Sequence, residues 1–256
     1  MQYIFCALMF IVGAVLGSFL CCQARRLRER ELRKKNLGPR SICMHCKYQL
    51  KWYDNIPIIS WLVLRGKCRK CGKKIGIAEL LSEIACATAV VLISINFTPG
   101  VATVAEWLIF VFKLALVLSL CFLGIYDGLY GELPMFAMAI SGIIAIALCI
   151  ASVLGAHQNI LDSLLSAVFF GGIYLVLYLI SKGKWVGDGD WLLAGIIGLA
   201  LGSVWSSFTA LFLANLSASI IMLPSAIRNK SSQIHFGPFL VLGFILVVSG
   251  CVIINI

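Results

Sequence analysis

The sequence predicts an all-α membrane protein of about eight transmembrane helices, with one small hydrophilic domain between the first and second. Three observations carry that expectation. Of the 256 residues, 61% are hydrophobic, and the mean hydropathy is +1.00. Only 12% are charged, where a soluble domain carries roughly 25%. Continuous apolar runs recur along the chain at roughly the 20-residue length a helix needs to cross a bilayer core. They do not alternate, which argues against a barrel.

The runs lie near residues 2–22, 78–96, 104–126, 133–154, 160–181, 190–203, 205–224 and 237–255. No basic residue precedes the first, and no small-residue cleavage site follows it, so it reads as a span and not as a secretory signal. The sixth and seventh share one apolar stretch punctuated only by Gly202 and Ser203. The division that follows is a first helix at 1–22, a hydrophilic domain at 23–77 and a membrane domain at 78–256.

Charge sets the orientation. Of 21 Lys and Arg, 16 fall between Arg25 and Lys74, and such clusters stay on the cytoplasmic side. Eight spans then bring Lys182, Lys184, Arg228 and Lys230 to the same side, with Lys113 the exception inside the third span. Both termini face away from the cytoplasm. The formal charge of +10 thus reflects topology and contact with the anionic headgroups of the bilayer. No Arg/Lys-aromatic stripe or recognition helix accompanies it, which excludes nucleic acid as the expected partner.

Within the hydrophilic domain, Arg25 to Lys35 mixes basic residues with Glu29 and Glu31 and reads as a helical extension of the first span. Then come two hooks, Cys43-x-x-Cys46 and Cys68-x-x-Cys71, separated by 21 residues, a segment expected to form a small hairpin. Four thiolates presented in pairs suit tetrahedral zinc, and a reducing cytoplasm disfavours disulfides. With four protein ligands no position is left open for catalysis, so the ion is expected to be structural. His45 is expected to face solvent, and Trp52 and Tyr53 to pack the small domain. The other seven cysteines lie in or beside spans, where they pack as small hydrophobes.

Only eleven residues are acidic, and carboxylates at membrane spans are functional candidates by default. Asp127 ends the third span, in Gly124-Ile-Tyr-Asp127, and Asp190 starts the sixth, in Gly187-Asp188-Gly189-Asp190. The orientation drawn from Lys and Arg alone puts both at similar depth on the cytoplasmic side. Two aspartates sharing a site hold one proton between them, and such a dyad activates water against a peptide carbonyl without a metal. Gly187 and Gly189 let backbone approach closely. The bland alternative is that Asp188 and Asp190 cap a helix.

The ordered series of motifs resembles the type IV prepilin peptidases, membrane aspartic proteases that share Gly-x-Gly-Asp with presenilin-like enzymes. Gly17-Ser-Phe-Leu20, Arg40-Ser-Ile-Cys43, Trp52-Tyr-Asp-Asn-Ile-Pro57, Ser60-Trp61-Leu62 and Leu64-Arg-Gly-Lys-Cys68 carry it in the first part. Ile125-Tyr-Asp127, Leu133-Pro134, Gly187-x-Gly189-Asp190 and Phe236-Gly-Pro-Phe-Leu240 carry it in the second. The resemblance implies a bifunctional enzyme of the inner membrane. It would cleave prepilin or pseudopilin leaders after a glycine on the cytoplasmic side, then N-methylate the new N-terminus with S-adenosylmethionine. Asp127 and Asp190 match the catalytic positions, while Asp188 occupies the variable one. Gly66 and Lys67 match positions associated with methyl transfer.

Departures from the family pattern are Met135 after Pro134, Leu192 two residues past Asp190, Ala78-Glu79-Leu80 before the second span, and Cys21 in the first. None removes an aspartate or a cysteine of the hooks. Asp54, Glu79, Glu83 and Glu132 are the acidic residues available to a basic leader. The alternatives are a peptidase without methyl transfer, a proton-coupled transporter using the two aspartates as a relay, and a zinc-bearing membrane scaffold.

Overall fold

The computed structural model describes residues 2–33, 41–43, 45–183, 186–228 and 235–250. Lys34, Lys35, Arg40, Met44, Lys184, Lys230 and the end of the eighth predicted span lie outside them. Among the described residues the regular structure is helical, with no strand beyond two isolated antiparallel bridges, Ile42–Gln49 and Lys67–Lys74. Nine α-helices are described: α1 (Gln2–Arg33), α2 (Ile59–Val63), α3 (Ile77–Ser94), α4 (Val104–Tyr130), α5 (Met135–Ala156), α6 (Ile160–Ser181), α7 (Asp190–Leu201), α8 (Val204–Arg228) and α9 (Gly237–Val248).

Every predicted span has its helix, but the helices are not equally long. Six are long and apolar enough to cross a membrane, whereas α7 and α9 are shorter apolar helices. Twelve residues in α7 rise about 18 Å, well short of a hydrocarbon core roughly 30 Å thick. Gly202 explains the early stop: it takes a left-handed φ of 67° at the C-cap, where glycine carries no Cβ penalty. α1 instead overruns its span, since Arg25 to Arg33 continue the same helix.

The chain folds as two compact units, Met1–Val91 and Leu92–Ile256. In the first, α1 lies against α3 through glycines four residues apart. A Cβ on Gly13 would stand 2.7 Å from the Ala87 Cα, and one on Gly17 2.6 Å from the Ser82 carbonyl. Small residues at this spacing bring helix backbones together in membranes. The segment after Cys46 forms not a hairpin but a 3-10 turn, Trp52–Asn55, and then α2. The Ser60 hydroxyl bonds back to the Ile56 carbonyl at 2.6 Å, a local contact that starts helix where a hairpin would need extended backbone.

The second unit packs α4 to α9 around a core of Leu116, Leu120, Phe170, Tyr174, Leu193 and Phe244, all inaccessible or nearly so. Thr103 and Glu106 form a reciprocal capping box that starts α4, and Gly131, at φ 70°, ends it. α6, α7 and α8 meet at a buried polar knot. There the Ser166 hydroxyl donates to the Gly198 carbonyl at 2.7 Å and lies 2.6 Å from Ser207 Oγ. Outward faces carry exposed Leu154, Val168 and Trp205, an apolar surface that suits lipid and not water.

Candidate functional site

The four hook cysteines converge. Their sulfurs all lie within 4.8 Å of one another, with Cys43–Cys71 at 3.9 Å and Cys46–Cys68 at 4.0 Å. A tetrahedral thiolate site with bonds of about 2.3 Å puts its sulfurs about 3.8 Å apart, so the cluster fits a metal ion. The two hooks are built alike. Cys43 N–H donates to the Tyr48 carbonyl and Lys47 N–H to the Cys43 carbonyl, each at 2.9 Å. Cys68 and Gly72 repeat both bonds at 2.9 Å, with the Lys73 and Cys68 carbonyls accepting. Lys47 and Gly72 hold the same left-handed position, at φ 58° and 67°. Backbone N–H groups of Cys71 and Lys70 lower the Cys68 thiol to about 6, while burial and the neighbouring sulfurs push the Cys71 thiol up to about 11, so the four sulfurs do not ionise alike.

His45 is exposed and outside the cluster. Tyr53 packs as expected, its ring 5.0 Å from the Arg69 guanidinium and 5.7 Å from the Lys51 ammonium. Trp52 does not: it is 79% exposed, because the 3-10 turn aims it away from the hooks. Gly66 sits at φ 64°, and a Cβ there would stand 2.8 Å from the Trp61 ring. Gly66→Ala is therefore expected to cost about 1–3 kcal/mol, read as a lower unfolding midpoint of the cysteine-bearing unit. Lys67 is exposed.

In the second unit, Asp127 and Asp190 are both 5% exposed, and they border two loops that meet where Gly189 packs on Leu133. Asp188, two residues before, is exposed. Asp190 does not cap α7; the N-cap is Gly189, and no side chain bonds there. The Asp190 carboxylate instead accepts the Gly187 N–H at 2.9 Å, at the helix end where the dipole favours negative charge. Gly189 is needed for packing, since a Cβ there would strike the Leu133 side chain at 2.8 Å. The loop after Asp127 and the loop before Asp190 thus touch.

Among the described residues Asp127 has one backbone donor, the Gly237 N–H at 2.9 Å. A Cβ on Gly237 would stand 2.8 Å from the accepting carboxylate oxygen, so only glycine lets the start of α9 come this close. Gly124 and Gly128 of α4 face Pro238. The Phe236-Gly-Pro segment had been legible only as a motif; the structure gives it a contact. Next to it, Phe236 packs on Tyr174 of α6 at 5.6 Å between ring centroids. Gly237→Ala should displace the Asp127 carboxyl, read as a lower unfolding midpoint of the second unit.

Residues 11–97 match the family model described as the Bacterial Peptidase A24 N-terminal domain. Several curated proteins named prepilin leader peptidase/N-methyltransferase align over far more of the chain. One from Legionella pneumophila is 29% identical over 248 residues, covering 92% of this chain and 82% of its own. Another, from Aeromonas hydrophila, is 25% identical over 271 residues, covering 94% and 89%. A third, from Dichelobacter nodosus, is 27% identical over 208 residues, covering 80% and 68%. The chain is similar to prepilin leader peptidases over most of its length. The family model spans the four cysteines and stops short of α4, so it covers neither aspartate. The long alignments extend the likeness into the second unit. No solved structure matches the chain.

Proposed function

We propose that the protein is a bifunctional prepilin peptidase, with Asp127 and Asp190 as its catalytic pair. The observation that carries this reading is the pairing itself. Two buried carboxyls, from the end of α4 and the start of α7, flank one loop–loop contact and each accepts a backbone N–H. Like charges this placed share a proton. The ionised carboxylate takes a proton from water as it attacks the peptide carbonyl after the leader's glycine. The protonated partner supplies a proton as the C–N bond breaks and the new amine leaves.

Methylation would follow at that amine. Its lone pair bonds the methyl carbon of S-adenosylmethionine, the carbon–sulfur bond breaks with its electrons going to sulfur, and the ammonium product loses a proton to water. The sulfur cluster would hold zinc as a structural ion, with all four positions filled by Cys43, Cys46, Cys68 and Cys71. The concentration of Lys and Arg between Arg25 and Lys74 supports an inner-membrane protein whose cysteine-bearing domain, 23–77, faces the cytoplasm. The substrates are then prepilins or pseudopilins, whose leader junction reaches the aspartates from that side.

The test uses purified protein in lipid, a prepilin and S-adenosylmethionine, with product masses as the readout. Cleavage after glycine with a methyl mass added is the expected result. Cleavage without methylation would retain the peptidase and discard the transferase.

A further inference from the structure

In the first unit the short helix α2 turns an apolar face outward. Ile59, Leu62 and Val63 are each more than half exposed, and residues three and four apart stand on one side of a helix. The exposed Trp52 lies in the turn before them. An apolar face of this kind marks a contact with lipid or with another protein.

Depth decides between the two. The Ile58 N–H, at the start of α2, donates to Glu83 Oε2 of α3 at 2.7 Å. Glu83 lies six residues beyond Ile77, where α3 begins, a rise of about 9 Å. It also abuts α1, because a Cβ on Gly17 would stand 2.9 Å from the Glu83 Cα. Gly17 precedes Arg25, the first charge of α1, by eight residues, or about 12 Å. The bond between Ile58 and Glu83 is therefore level with the apolar parts of two spanning helices. The inner side of α2 keeps to that level, since Trp61 and Leu64 share a cavity wall with Val15 and Phe19 of α1.

The backbone shows that this placement is imposed. Ile58 takes φ 63° and ψ −53°, a left-handed conformation that β-branched residues rarely adopt. Such strain persists where the surroundings over-determine it, and here the buried Glu83 carboxylate holds the turn. Cations complete the pattern: Lys51 before α2 and Arg65 and Lys67 after it are exposed.

We infer that α2 lies in the boundary layer of the bilayer, with Ile59, Leu62 and Val63 against acyl chains and Lys51, Arg65 and Lys67 at anionic headgroups. Interfacial helices bury an apolar face about 5–10 Å into that boundary, basic residues beside it are drawn to the surface charge, and Trp52 is a side chain that favours the same layer. The inference rests on α1 and α3 being spans and on neither enzymatic step. It makes the membrane a wall of the cysteine-bearing domain.

The experiment places a nitroxide on p-acetylphenylalanine in place of Leu62 or, separately, Val63, because the eleven native cysteines forbid thiol labelling. Two reference labels replace Ile84, exposed on α3 one residue past Glu83, and Arg30, exposed on α1 thirteen residues past Gly17. The full chain is held in lipid nanodiscs. Relaxation by oxygen, which concentrates in the bilayer, is compared with relaxation by a water-soluble nickel chelate. Helical signal and protease resistance equal to the unlabelled protein report that each sample is folded. Labels at 62 and 63 are expected to shift toward oxygen, as at 84, while the label at 30 shifts toward the chelate. Chelate-dominated relaxation at 62 and 63, with oxygen dominant at 84, overturns the inference and leaves α3 a span. Weak relaxation by both agents at 62 and 63 overturns it in favour of a protein partner. Chelate dominance at 84 removes the depth of α3, and the inference falls with it.

Discussion

Asp190→Asn should lower prepilin cleavage by roughly 10³-fold or more, and Asp127→Asn should do the same, since each removes one half of an acid–base pair. Asparagine is close in shape to aspartate, and its carbonyl oxygen still accepts the backbone N–H that each site donates, from Gly187 and from Gly237. The helices should therefore survive, with the melting transition in lipid little changed. The double variant should be no worse than either single one by more than a small factor, because residues acting as a unit lose their joint contribution when one is gone. Asp188→Asn, at an exposed position between the two glycines, is the control and should retain activity. Substantial cleavage by Asp190→Asn would remove the dyad and return weight to the scaffold; a loss shared equally by Asp188→Asn would do the same for its assignment.

Stripping the metal should have the second large effect. A structural zinc site contributes apparent binding free energies of about 10–16 kcal/mol at neutral pH, more than the stability of most small domains. A strong chelator, or Cys68→Ser, is expected to take bound metal from one ion per chain to near none. Protease cuts between residues 41 and 76 should then rise steeply, while the helical signal of α4 to α9 stays. Protection of that segment in a metal-free sample would show that the hooks fold on hydrogen bonds alone.

The helices were legible because the bilayer demands long apolar runs, and a run of such length leaves little choice of structure. The four cysteines were legible for a related reason: two hooks of fixed spacing serve one tetrahedral ion. Less could be read where length gave way to shape. In the apolar stretch 190–224, Gly202 and Ser203 marked the break between two spans, but only the structure shows the left-handed φ of 67° with which Gly202 ends α7. Likewise, Gly237 could be seen to recur in a motif, but not to stand against Asp127, because a contact between residues 110 positions apart leaves no local pattern. Trp52 was misjudged for the same reason. Its aromatic ring suggested burial, and only the turn it sits in decides which way it points.

The paired glycines of α1 have a consequence for how the hydrophilic segment becomes ordered. Gly13 and Gly17 let α1 rest against α3, which tethers the two ends of everything from Arg33 to Ile77. A chain tethered at both ends has already lost much of its freedom, and loop closure grows only with the logarithm of length. A metal ion added to the chain would then have only the hooks left to immobilise, and a bulky residue at Gly17 should be felt first as weaker metal affinity, at a site that touches no cysteine of the cluster.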